Sequence, residues 1–77
     1  MPYSKEVLAK RLQVIRKDKG LDQDQLSEKA NVGKSIIVNA ELANGGMRLD
    51  SAFDLSRALG CTLDQLVGRE DYVVRDS

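Results

Sequence analysis

Seventy-seven residues, 42% hydrophobic and 31% charged, suit a single domain, and with only Tyr3, Phe53 and Tyr72 as aromatics its core must be aliphatic. The absence of His and the presence of one Cys, Cys61, exclude His-based acid–base or nucleophilic catalysis, a zinc set and an internal disulfide. Twelve Lys and Arg balance twelve Asp and Glu, so total charge does not mark a strongly basic nucleic-acid binder, although residues 1–20 set Lys5, Lys10, Arg11, Arg16, Lys17 and Lys19 against only Glu6 and Asp18.

Ser4 is a good N-cap, and Glu6 complements the positive end of the helix that follows it. Leu8, Leu12 and Ile15 recur at helical spacing, and Lys17, Lys19 and Gly20 make a C-terminus, so the first helix is predicted over 4–19. Asp22 with Gln25 three residues on is the capping-box pattern, opening a second helix over 23–30 with Leu26 and Ala30 inward. Asn31 tolerates the left-handed turn that follows, Val32 is its apolar plug, and Gly33 is an acceptable N-cap. A third helix is predicted over 34–42, with Ile37 and Ala40 inward and Lys34, Ser35, Val38 and Asn39 on the other side.

Ala43-Asn44-Gly45-Gly46 is the clearest loop. The fourth helix, over 49–59, has Leu49, Ala52, Phe53, Leu55, Ser56 and Leu59 as its predicted buried stripe and ends at Gly60. Thr62 and Gln65 repeat the capping-box spacing before a short fifth helix whose apolar side is Leu63, Leu66 and Val67; Gly68 stops it. In the tail, Tyr72 to Arg75 is the one strand-like stretch. Helices this short bury a core only together, so the fold is predicted as all-α. Residues 22–42 have the two short helices and three-residue connection of a helix-turn-helix, whose second helix can enter a DNA major groove.

Arg16 through Leu26 (RKDKGLDQDQL), followed by Val32-Gly-Lys-Ser-Ile-Ile37 and Glu41, resembles the Cro and phage-repressor type helix-turn-helix family, also called the Xre family. Arg16, Gln23, Val32, Ile37 and Glu41 stand at its marker positions, and Leu59-Gly-Cys-Thr-Leu-Asp-Gln-Leu66 matches its last two helices. The resemblance covers residues 7–68. It departs at Asn31 and Ala43, where the family often has Gly, and at Met47, a frequent Pro; Gly45 and Gly46 are expected to take over the turn that Ala43 does not favour.

The resemblance implies a five-helix bundle of the phage-repressor DNA-binding type, with the helix-turn-helix at its second and third helices. Residues 1–68 would form the DNA-binding domain and 69–77 a tail suited to dimerisation. Lys34, Ser35, Val38 and Asn39 are the candidate base contacts, since Lys can donate to guanine, Asn can pair with adenine, and Val can touch a thymine methyl. Gln23, Arg11, Lys17, Lys19, Asn44, Gly45 and Arg48 are the candidate backbone contacts, with Gly46 and Lys10 beside them. Arg16 and Glu41 occupy the family's ion-pair positions, and Leu63, Leu66, Val67, Tyr72 and Val73 are the candidate dimer interface. Cys61 reads as a small buried hydrophobe.

The implied function is a transcriptional regulator, in the repressor sense, that binds a pseudo-palindromic operator on double-stranded DNA as a homodimer. One recognition helix reads too few base pairs for specificity in a genome. Two alternatives from other classes are an antitoxin that also holds a toxin, and a protein-interaction module that has lost DNA binding; either would have a protein partner. No enzyme activity, cofactor or metal is expected. With no apolar run approaching the roughly 20 residues of a bilayer span and no apolar signal region in MPYSKEV, a cytoplasmic protein without membrane contact is expected.

Overall fold

Side-chain caps and left-handed turns punctuate this chain where its helices start and stop. In the computed structural model, which describes residues 4–45 and 47–74, Ser4 Oγ accepts from the Val7 amide and opens α1, Lys5–Asp18. Asp22 and Gln25 exchange side-chain bonds with each other's backbone amides to open α2, Gln23–Ala30, and Thr62 and Gln65 do the same for α5, Leu63–Val67. Asn31 (φ 56°), Gly60 (φ 68°) and Gly68 (φ 85°) turn the chain left-handed after α2, α4 (Leu49–Leu59) and α5 respectively. The third helix, α3, spans Lys34–Glu41, with Leu42 as its C-cap rather than its last turn.

The five helices close around one cluster: Leu8, Leu12 and Ile15 from α1, Leu26 and Ala30 from α2, Val32 from the turn, Ile37 and Ala40 from α3, Leu55 and Leu59 from α4, and Leu66 from α5. Each fully buried Leu or Ile contributes on the order of 1.5–3 kcal/mol relative to exposure, so no single helix is stable without the others. The first helix packs on α3 and α5, while α2 packs on α3 and α4. Among the described residues no helix is long and apolar enough to cross a membrane.

Three expectations are corrected. On α4 the inward side is Ala52, Leu55, Ser56 and Leu59, whereas Leu49 is 62% and Phe53 48% exposed. Spacing alone does not say where along the rim of an apolar stripe burial stops. The turn after α3 is made by Ala43 itself (φ 59°), with Gly45 (φ 90°) following; Gly46 lies outside the described residues. Asn44 N–H donates to the Asn39 carbonyl, a helix-closing bond that puts the left-handed step on Ala43. The tail is not a strand over 71–74, and Arg75 lies outside the described residues. Instead Arg11 Nη1 donates to the carbonyls of Gln65 and Glu70, and Tyr72 Oη donates to Asp18, so the tail folds back on α1.

Candidate nucleic-acid interface

The α2–α3 unit is held from inside its own turn. Ser27 Oγ donates to the Val32 carbonyl at 2.6 Å and the Val32 amide donates back to the Ser27 carbonyl at 3.2 Å. Val32 is buried, so the plug and the two bonds fix the angle at which α3 leaves α2. With Ile37, Ala40 and Glu41 inward, helical geometry turns Ser35, Val38, Asn39 and Leu42 outward. Lys34, Ser35 and Asn39 are exposed and Val38 is half-buried.

The C-terminal end of α3 is anchored to α1 by a buried polar cluster. Arg16 meets Glu41 with two parallel bonds, Nε to Oε2 at 2.7 Å and Nη2 to Oε1 at 3.0 Å, the geometry that suits a planar guanidinium to a carboxylate. Its remaining Nη1 donates to the Leu21 carbonyl, and Gln13 Nε2 donates to the Glu41 carbonyl. The bond to Glu41 pushes the Arg16 pKa up, against the opposing effect of burial. No buried side-chain polar atom among the described residues lacks a partner.

Gln23 belongs to this cluster. Its Nε2 donates to Glu41 Oε1 at 3.0 Å, so the side-chain nitrogen that was to clamp a phosphate is turned inward; Asp22, not Gln23, caps α2. One of the cations assigned to the DNA backbone is also placed elsewhere: Arg11 is occupied by the carbonyls of Gln65 and Glu70 at 2.8 Å each. Lys19 is exposed. Lys17 is exposed on the face of α1 that carries Lys10 and Gln13.

Around Asn39 the structure brings together Ile36 on α3, Asn44, Met47 and Arg48 in the α3–α4 loop, and Ser51 on α4, which line one shallow cavity. Asn44, Gly45 and Arg48 are exposed there. Lys34 pairs with Asp24 at 3.1 Å, and Arg48 lies 3.9 Å from Asp50. Ile36 and Leu42, 39% and 63% exposed, were missed as residues of this surface. Their signal was one apolar residue on α3 and one at its C-cap beyond what the inward side needs.

The dimer-interface residues divide. Leu63 and Val67 line an open apolar cavity of about 300 Å³ together with Leu8, Met47, Leu49 and Ala52, with Asp64 and Arg69 at its charged rim. Leu66 is fully buried and has no surface to offer, a correction that follows from its place at the centre of the core. Tyr72 is half-buried against α1, whereas Val73 is 83% exposed. Cys61 is half-buried against the core, and burial pushes its thiol pKa up, partly offset by Lys19. No group of His, Cys, Asp and Glu among the described residues is placed to hold a metal ion.

A helix-turn-helix family model matches residues 12–66. The chain is 32% identical over 66 residues to the immunity repressor protein of Bacillus phage phi105, covering 86% of this chain but 46% of the repressor, so it spans about half that relative's length. It is 30% identical over 59 residues to an uncharacterized HTH-type transcriptional regulator, y4mF, of Sinorhizobium fredii, covering 77% of this chain and 78% of that one. Among solved structures, the fold is similar to a hypothetical transcription factor, NHTF, from Neisseria (TM-score 0.77, 24% identity, 82% of this chain and 72% of that one). It is also similar to the restriction-modification controller protein C.AhdI from Aeromonas hydrophila (TM-score 0.76, 24% identity, 80% and 94%).

Proposed function

From the premise that this chain belongs to the helix-turn-helix family of DNA-binding transcriptional regulators, which are not enzymes, we propose that it is a repressor that binds a pseudo-palindromic operator as a homodimer. The observation that carries this reading is the outward side of α3, where Lys34, Ser35, Val38 and Asn39 stand free of the core on a helix anchored at both ends. These four side chains read base edges in the major groove. Asn44, Gly45, Arg48 and Lys17 touch the backbone, as do the amides at the start of α2, where the helix dipole favours phosphate. Lys19, exposed after α1, stays in that set, and Arg11 and the Gln23 side chain are dropped from it. The likeness to a phage immunity repressor favours repression.

Residues 1–68 form the DNA-reading unit in this proposal. The pairing surface lies less in the tail 69–77 than on Leu49 and Phe53 of α4 with Leu63 and Val67 of α5, and its occupant is a second copy of the chain. A two-fold axis through this surface supports self-complementarity, because Asp64 and Arg69 on the same rim can each meet the other's counterpart. Selection of bound duplexes from a random pool by the full chain tests the proposal. The expected product is an inverted repeat whose half-site centres lie about one helical turn, roughly 10 base pairs, apart. Enrichment of a single asymmetric site, or of nothing, overturns it.

A further inference from the structure

Lys34, the first residue of the reading helix, does not present an unpaired charge: its Nζ lies 3.1 Å from Asp24 Oδ1 on α2, with the two side chains 51% and 73% exposed. An ion pair this exposed contributes little to folding, and the α2 N-cap is already supplied by Asp22. Arg48, across the same surface, is shadowed at 3.9 Å by Asp50. A chain with twelve cations and twelve anions has thus set carboxylates beside cations that face its ligand, where they oppose phosphate.

We propose that Asp24 is a positioning residue for DNA reading, which restrains the Lys34 ammonium at the start of the reading helix so that it is less free to meet whatever phosphate is in reach. This rests on the assignment of Lys34 as a base contact. A lysine head is a compact charge on a flexible stem, which any phosphate satisfies regardless of sequence. One of its three N–H donors on Asp24 restrains the head and leaves two for acceptors such as guanine O6 and N7. On random DNA the ammonium stays on Asp24, and the carboxylate itself repels the backbone. Asp24 therefore suppresses random binding more than operator binding. Asp50 beside Arg48, a backbone contact, has no such selective effect.

The test measures the full-length chain on its selected operator and on a random duplex over a salt series, comparing Asp24→Asn, Lys34→Ala, the double variant and Asp50→Asn. Asp24→Asn is expected to tighten random DNA by about three- to tenfold near 0.1 M salt, to steepen its salt dependence by about one phosphate contact, and to tighten the operator less. The operator-to-random ratio then falls about threefold or more, and preference relaxes at one base pair per half-site. In the Lys34→Ala background the same change, like Asp50→Asn in the native one, alters both duplexes equally. The proposal is overturned if Asp24→Asn tightens both duplexes equally in the native background, or if the ratio falls as far without Lys34. If Lys34→Ala alone leaves the ratio unchanged while operator binding persists, Lys34 is not a base contact, and the assignment beneath the proposal fails instead.

Discussion

Ala43 occupies the left-handed region at φ 59°, where a Cβ approaches the following carbonyl oxygen at a cost of about 1–2 kcal/mol. Glycine there removes the strain but loses more entropy on folding, about 0.5–1 kcal/mol. Ala43→Gly is therefore expected to stabilise the fold by roughly 0.5–1 kcal/mol, seen as a Tm raised by several degrees in thermal melts. A lowered Tm would mean that the methyl group contributes packing that outweighs the strain. Cys61 gives a pH dependence of known sign. Its thiol pKa is raised in the folded chain from an ordinary value of 9.0, so the folded state holds the proton more tightly and stability is lost as pH rises past that value. Denaturant melts across pH 8–10.5 should show a decline that is shallower in Cys61→Ala; identical slopes would exclude the thiol as its source.

At the scale of elements, α3 is joined to α1 by Arg16 and Glu41, whose side chains are 10% and 5% exposed. Removing either leaves a buried charge without its counterpart, which typically costs about 3–5 kcal/mol. Arg16→Ala and Glu41→Ala should each lower stability by that order, and the double variant should cost much less than their sum; additive losses would show the two charges to be independent. The joint between α5 and α1 is steric. A Cβ on Gly68 would collide with Val7 Cγ1 at a position with φ 85°. Gly68→Ala is expected to lose about 1–3 kcal/mol from backbone strain and overpacking. Adding Val7→Ala should restore only the steric part, because the strain belongs to the backbone; full restoration would remove strain from the account.

At the scale of the whole molecule, Leu49 and Phe53 are the exposed apolar side chains of α4 and are separated by one helical turn. Charging them leaves the core intact, since neither belongs to it. Leu49→Asp and Phe53→Asp are expected to keep the native helix content and lose less than about 1 kcal/mol of monomer stability. Sedimentation should find them monomeric at concentrations where the proposed dimer of the native chain forms, with operator binding weakened and shifted to a steeper dependence on protein concentration. Unchanged sedimentation would move the two-fold axis to another surface.

Helix limits, both capping boxes, the left-handed turn at Asn31 and the plug at Val32 were legible in the sequence, because each depends on residues within about four positions of one another. Lys34, Ser35, Val38 and Asn39 were legible as one outward set for the same reason, since α3 has a single period and its inward residues are known. The pairing of Arg16 with Glu41 came from resemblance and not from spacing, as no local rule joins residues twenty-five apart. What only the tertiary structure decided is where each side chain's surplus donors and surface go. Arg11 and Gln23 carry the chemistry of phosphate ligands, but Arg11 reaches the carbonyls of Gln65 in α5 and Glu70 beyond it, and Gln23 reaches a buried carboxylate. Leu49 and Phe53 fall outside the core and Leu66 at its centre, although all three are equally apolar. Composition sets what a residue can bond to or bury, and the packing of distant helices sets which partner lies within reach.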